Sequence, residues 1–377
     1  MSVPKYLESF SDLYERDPHQ ANLEWFKQAK FGLFIHWSLF SYYGENCPYI
    51  YKHNVPIPEY KRTMEHFTAE KFDADFITDL ALESEMKYVN LVTRHHESFS
   101  LWASESSDFS KNYCSMSAPA GRDFVAELAA QCARKGLAFF LYYSYGLDWV
   151  HPWFPTEESG IGRAPKRVPG YHKWEEGNGN QEYIEFMHGQ ITELLSNYGH
   201  IAGMWFDPIS SIYQRPDLFP VDETYDLIRG LQPQCLISYK NGATGREDFI
   251  TPEVRISDNA LNKSLPVGTA TPEYKKKIRA FWDKTVKDGV KEFNGRMETK
   301  GWGYVKDAKR IDADEVMRRL AYADEQRSNM LLNTGPLFDG SIHPDAAKTL
   351  REVGRRIRTH GWPESDAHVN EEVLTVE

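Results

Sequence analysis

The stretch YVNLVTRHHESFSLW, residues 88–102, opens as an apolar, β-branched run of the kind that fills a buried strand, and it closes on Arg94, His95, His96 and Glu97. Phe99 and Trp102 follow at once. A strand that serves only a core has no use for four polar groups at one end, so the pattern asks for a fold that gathers strand ends. Other apolar runs finish the same way. LAFFLYYSYG (137–146) ends in Tyr142, Tyr143 and Tyr145, FGLFIHWSLF (31–40) carries His36 and Trp37, IAGMWFDP (201–208) carries Trp205 and Asp207, and CLISYKNG (235–242) carries Lys240.

Amphipathic stretches separate these runs, among them FDADFITDLALESEM (72–86), DFVAELAAQCARKG (123–136) and QEYIEFMHGQITELLSNYG (181–199). The second reads as a helix started by Asp123 and stopped by Gly136. Strand, helix and strand in repetition predict a parallel sheet. An open doubly wound sheet is the competitor, but no GxGxxG or P-loop pattern follows any strand. No stretch has linker composition, so residues 1–377 are read as one domain, a (β/α)8 or TIM barrel. Long insertions at 42–68, 150–180 and 253–304 would follow strand carboxyl ends, where such a barrel keeps its active-site loops.

The balance of 44 basic against 55 acidic residues, a formal charge of -11, argues against nucleic acid or an anionic membrane as partner. Aromatics make up 14% of the chain, with 10 Trp and 21 Tyr, and aromatic faces suit flat neutral ligands. Cys47, Cys114, Cys132 and Cys235 show no metal-ligand spacing and are read as reduced, buried thiols. The charged N-terminus lacks a signal-peptide core and no span suits a membrane helix, so the expected location is the cytoplasm.

Neighbouring His95 and His96 in an extended strand should point to opposite faces, which works against a shared metal and favours hydrogen bonding to hydroxyls. Neither a metal nor an organic cofactor is expected. Asp207 at a strand end suits a loop acceptor, an N-cap, or a nucleophile at a barrel mouth. The last use needs a second carboxyl group about 5 Å away, for which Glu253, Glu292 and Glu298, all assigned to later loops, are the candidates.

These blocks together resemble the α-L-fucosidases of glycoside hydrolase family 29. FGLFIHW is similar to the family's first-strand motif, KYVNLVTRHHESFSLW to its double-histidine segment, KGLAFFLYYSYGLDW to its tyrosine-bearing strand, and GMWFDP to its nucleophile strand. EDFITPE and SNMLLNTGPLFDGSIHP resemble a downstream loop and the closing strand and loop. The resemblance implies a (β/α)8-like barrel, often distorted in this family, and retaining hydrolysis of α-L-fucosides in oligosaccharides or other small glycosides. It places Asp207 as nucleophile and Glu253 as acid/base, ahead of Glu292 and Glu298. His36, His95 and His96 become hydroxyl ligands, with Trp205 beside the ring and Tyr143 among the sugar contacts. Trp37 and Lys240 complete the expected substrate-binding set. Two departures stand out. Where the family usually shows a Glu-Trp-Tyr stretch, this sequence has ENCPYIYKHNVPIPEY, with Glu45 or Glu59 as replacements, and Lys240 stands where many members have Arg. The C-terminal β-sandwich of many relatives is not expected here, and the oligomeric state is open. The alternatives are a glycosidase for another L-sugar, such as an α-L-galactoside, and a fucose-binding relative without catalysis.

Overall fold

In the strand Ala138–Ser144 the side chains divide by parity: Ala138, Phe140 and Tyr142 join one apolar cluster, while Phe139, Leu141 and Tyr143 join another. That division, repeated around a ring of strands, builds a barrel with a filled interior and a helical coat. The computed structural model describes residues 2–253 and 270–364. Its strands are β1 (Phe31–Ile35), β2 (Tyr88–Arg94), β3 (Ala138–Ser144), β4 (Gly203–Asp207), β5 (Leu236–Ser238), β6 (Phe249–Ile250), β7 (Val290–Arg296) and β8 (Asn329–Thr334). All neighbours are parallel, in the order β5-β4-β3-β2-β1-β8-β7-β6. The two ends of this sheet, β5 and β6, meet at a seam closed by separate bonds. Asp248 N donates to Ile237 O (2.8 Å), Thr251 N to Lys240 O (2.9 Å) and Ser238 Oγ to Phe249 O (3.0 Å). The expected eight-stranded barrel is therefore present and nearly closed.

The longer helices are α1 (Pro18–Phe26), α2 (Ala74–Glu83), α3 (Phe124–Lys135), α4 (Gly179–Asn197), α5 (Val221–Leu231), α6 (Pro272–Asp288), α7 (Ala313–Glu325) and α8 (Pro344–His360). Helix α3 has the predicted ends: Asp123 accepts from Ala126 N at 2.8 Å, and Gly136 takes φ 77°. From α2 onward each helix follows one strand, except that β5 runs straight into β6 through residues 239–248. That loop is organised by buried Glu247, whose carboxylate accepts from the amides of Ala243, Thr244 and Gly245 and from Tyr225 Oη. Helix α1 plugs the amino-terminal mouth of the barrel. Phe26 packs against Tyr88, Phe140 and Phe249, and Asn22 Nδ2 donates to the carbonyls of Ala202 (2.8 Å) and Gln234 (2.7 Å).

The segment 253–304 is not one insertion. Its residues 254–269 lie outside the described residues, but the rest contains α6 and β7. Strand β7, VKEFNGR, turns Glu292 and Asn294 into hydrogen-bonded positions of the interior, so it lacks the apolar signature of the other strands. Glu292 is accordingly a strand residue and not a loop carboxylate. In β2, Val92 is in register with Tyr142 and Arg94 with Tyr143, leaving Thr93 as the extra residue, its Oγ1 donating to Tyr142 O at 2.7 Å. This irregularity overrides strict alternation at the strand end. His95 and His96 both reach the same side, their ring centroids 4.0 Å apart, against the expectation of opposite faces.

Candidate active site

The carboxyl ends of β1 to β6 deliver side chains to one cavity of about 150 Å3 at the carboxyl mouth of the barrel. A cavity of about that volume takes one small ring. His36, His95, His96, Trp205, Lys240, Asp207 and Glu253 all line it. Trp37 and Tyr143 do not, and both expectations are corrected by parity. Trp37 continues the outward side of β1, is buried against Phe67, Phe72 and Phe124, and donates Nε1–H to Leu337 O at 2.9 Å. Tyr143 faces outward beneath the Arg94 guanidinium and donates to Gln190 Oε1 at 2.8 Å. The inward neighbour takes its place: Tyr142, in register with Trp205, donates its hydroxyl to Asp207 Oδ2 at 3.0 Å.

Asp207 is held from several sides. Tyr145 N and Gly146 N donate to its carbonyl oxygen at 2.7 and 3.1 Å, and Lys240 Nζ lies 3.3 Å from Oδ1. Lys240 also pairs with Glu253 and sits over the Trp205 ring, 4.6 Å from its centroid. Burial disfavours the ammonium, but the two carboxylates outweigh it and raise the Lys240 pKa. The same charge lowers the pKa of Glu253. The backbone leading to Glu253 is pinned by Asn294, whose Nδ2 donates to Thr251 O and Pro252 O, both at 3.1 Å.

Glu292 and Glu298 are not in this cavity. Glu292 sits behind Trp205, accepting from Trp205 Nε1 (3.1 Å), Thr251 Oγ1 (2.9 Å) and Tyr88 Oη (2.6 Å), and burial pushes it up to about 7. Glu298, also raised to about 7 by burial, lies beside Arg310 (3.6 Å) and the Gly335 amide. Of the three carboxyl candidates, Glu253 alone faces the same space as Asp207.

The hydrogen-bond network assigns the imidazoles. Ser144 Oγ gives its proton to Leu147 O (2.6 Å), so it accepts from His96 Nδ1 (2.5 Å) and leaves Nε2 unprotonated, 3.7 Å from Asp207 Oδ2. Asn333 Nδ2 donates to Trp302 O (2.7 Å), so its Oδ1 accepts from His36 Nδ1 (2.5 Å), again leaving Nε2 bare. Burial and the charge of His95 lower both pKa values, so at neutral pH each ring presents an acceptor. His95 differs. Burial works against its charge, but Cys47 and Glu97, the latter 3.2 Å from Nδ1, push it up to about 9. Two acceptors and one cationic donor suit a ligand with several hydroxyls.

The β1 loop contributes Asn46, Cys47 and Pro48, and later loops contribute Arg163 and Trp302. Asn46, at φ 144°, accepts on Oδ1 from Cys47 N (2.8 Å) and Trp302 N (2.9 Å), so it ties the β1 loop to the loop that carries Trp302 against His36. Neither Glu45 nor Glu59 lines the cavity; Glu45 pairs with His53 at 2.8 Å on the surface, and Glu59 is exposed. Parity within β1 and β3 was signal enough for Phe34 and Tyr142. Nothing local marks Asn46, Arg163 or Trp302. Among the described residues no group of three His, Cys, Asp or Glu is arranged to hold a metal ion, and no helix is long and apolar enough to cross a membrane.

The sequence profile of alpha-L-fucosidase matches residues 5–362, nearly the whole chain. The chain belongs to the alpha-L-fucosidase family. Among curated family members, the human plasma alpha-L-fucosidase is 26% identical over 366 residues, covering 91% of this chain and 69% of its own. Among solved structures of the family, unliganded alpha-L-fucosidase AlfC from Lactobacillus casei is 27% identical with a TM-score of 0.72, covering 90% of this chain and 98% of that one. Alpha-L-fucosidase isoenzyme 1 from Paenibacillus thiaminolyticus is 26% identical with a TM-score of 0.72, covering 94% and 80%. The Lactobacillus enzyme has also been solved with alpha-L-fucose product and, as a variant, with Fuca(1,6)GlcNAc.

Proposed function

We propose that this protein is a glycoside hydrolase that cleaves α-L-fucosides with retention of configuration, Asp207 acting as nucleophile and Glu253 as acid/base. The observation that carries the assignment of roles is the placement of these two carboxylates in one ring-sized cavity, on either side of Lys240. An Asp207 carboxylate oxygen attacks the anomeric carbon as the bond from that carbon to the aglycone oxygen breaks, and the leaving oxygen takes the Glu253 proton. Water then attacks the anomeric carbon of the glycosyl-enzyme, giving its proton to Glu253 and releasing Asp207. Tyr142 and Lys240 orient the nucleophile, the bare Nε2 atoms of His36 and His96 accept from sugar hydroxyls, and His95 donates. The substrates are α-L-fucosides, met in the cytoplasm.

Azide separates the two roles. With an activated aryl fucoside, Asp207→Gly should be rescued to give the β-fucosyl azide, and Glu253→Ala should give the α-azide. The same anomer from both variants, or rescue of neither, would overturn the assignment. Including the α-L-galactoside tests the other sugar reading, whose motive is the altered β1 loop that brings Asn46 and Cys47, and neither Glu45 nor Glu59, to the cavity.

A further inference from the structure

The two loop segments that frame the small cavity run on to frame a second one. Pro48 and Arg163 face the first; Tyr51 from the same β1 loop, and Pro165 and Val168 from the β3 loop, face a neighbouring cleft of about 160 Å3. Trp149 is the partition. Its ring meets His96 edge-on at 5.1 Å, stacks on Tyr51 at 5.5 Å and 15°, and is fixed by Nε1–H donating to Arg163 O at 2.9 Å. The chemistry changes across this wall. The cavity presents charges and hydroxyl partners, whereas the cleft is walled by aliphatic, proline and aromatic groups, with Asn54 and Lys166 as its polar members. Tyr51 and Val168 are 41% and 42% exposed, on opposite loops of one cleft. Paired exposed apolar groups beside a polar pocket mark a place where a ligand sits.

We propose that this cleft is the aglycone site and that it takes a flat, mainly apolar group, such as an aryl ring, rather than a second sugar. The proposal rests on the fucoside-hydrolysing reading. Continuity carries it, since both segments line both spaces and the Trp149 ring on the cleft side touches the His96 ring on the cavity side. A hydroxyl-rich sugar would turn hydroxyls toward Val55, Pro56 and Ile57, losing water without gaining partners, whereas an aromatic ring extends the Trp149 and Tyr51 stack.

The test compares wild type with Tyr51→Ala/Val168→Asp on three substrates: α-L-fucosyl fluoride, whose leaving group is one atom, 2-naphthyl α-L-fucoside, and a fucosyl disaccharide. The double variant should raise KM for the naphthyl fucoside about tenfold, the effect of losing apolar contact area, and leave the fluoride and the disaccharide unchanged. Fluoride turnover with an unaltered naphthyl KM would overturn the cleft assignment alone, as would an equal loss on the disaccharide. Wild type inert toward the fluoride would overturn the hydrolase reading and this proposal with it. Should the double variant not fold, Tyr51→Ala and Val168→Ser singly carry the same comparison.

Discussion

Lys240 sets the charge state of Glu253, the proposed acid/base. A general acid must hold its proton, and the Lys240 charge lowers the Glu253 pKa, so the protonated fraction is small at neutral pH. The kcat/KM profile should therefore fall as pH rises from the acid side, and Lys240→Met should move that falling limb to higher pH while lowering the maximum. A limb near pH 7 that ignores Lys240 would point instead to a carboxyl raised by burial, as Glu292 is. Asp207→Asn keeps shape and removes charge; turnover of a nitrophenyl fucoside should drop by several orders of magnitude with the fold intact. At this scale the sequence was most legible where a residue type and its strand parity agreed. His36, Trp205 and Asp207 stand on inward positions and line the cavity. Trp37 and Tyr143 were credited with the work of the space their inward neighbours face, because an aromatic residue at a strand end looks the same whichever way it points. The pairing of His95 with His96 depended on the extra residue Thr93, which no local signal announces.

Elements differ in how openly their sequence declares them. The bodies of strands β1 to β4 are mostly apolar on both faces because helices cover one and the barrel filling covers the other, and they read plainly. Strand β6 has two residues and β7 carries Lys291, Glu292 and Asn294, so the stretch passed for a loop. Its stability comes from partners distant in sequence: Tyr88, Trp205 and Thr251 around Glu292, and the Asn294 bonds to the segment before Glu253. Helix α1 is the other element whose role only the assembled structure reveals. Phe26→Ala empties a fully buried site among Tyr88, Phe140 and Phe249 and should cost about 3–5 kcal/mol of stability. Below the melting transition its KM should match wild type, since Phe26 does not line the cavity.

The molecule as a whole should lose stability with rising pH wherever buried carboxyl groups dominate. Glu298, pushed up to about 7 by burial, keeps its proton in the folded state over a window in which the unfolded chain, near about 4.3, has released it. Its contribution is full below the unfolded value and is lost as pH climbs to about 7, with a slope of at most about 1.4 kcal/mol per pH unit. Denaturant unfolding of wild type and Glu298→Gln from pH 5 to 8 should show a flatter dependence in the variant; parallel curves would mean that the proton is not retained. The global architecture was legible because strand and helix alternate visibly over most of the chain, and a barrel is the arrangement that makes polar strand ends useful together. The closure of the barrel was not, because it rests on a few separate bonds at the seam beside β5 and β6 and on a loop wound around Glu247.

That closure resembles a split ring with a clasp. Asp207 stands on one side of the split and Glu253 on the other, and the Lys240 ammonium bridges them. Elsewhere neighbouring strands are joined by paired ladders, but the gap between Asp207 and Glu253 is set at the joint between β5 and β6, which has none. Selection can therefore retune the distance between these two carboxylates by altering a few residues at the clasp, leaving the cavity wall on β1 to β3 untouched.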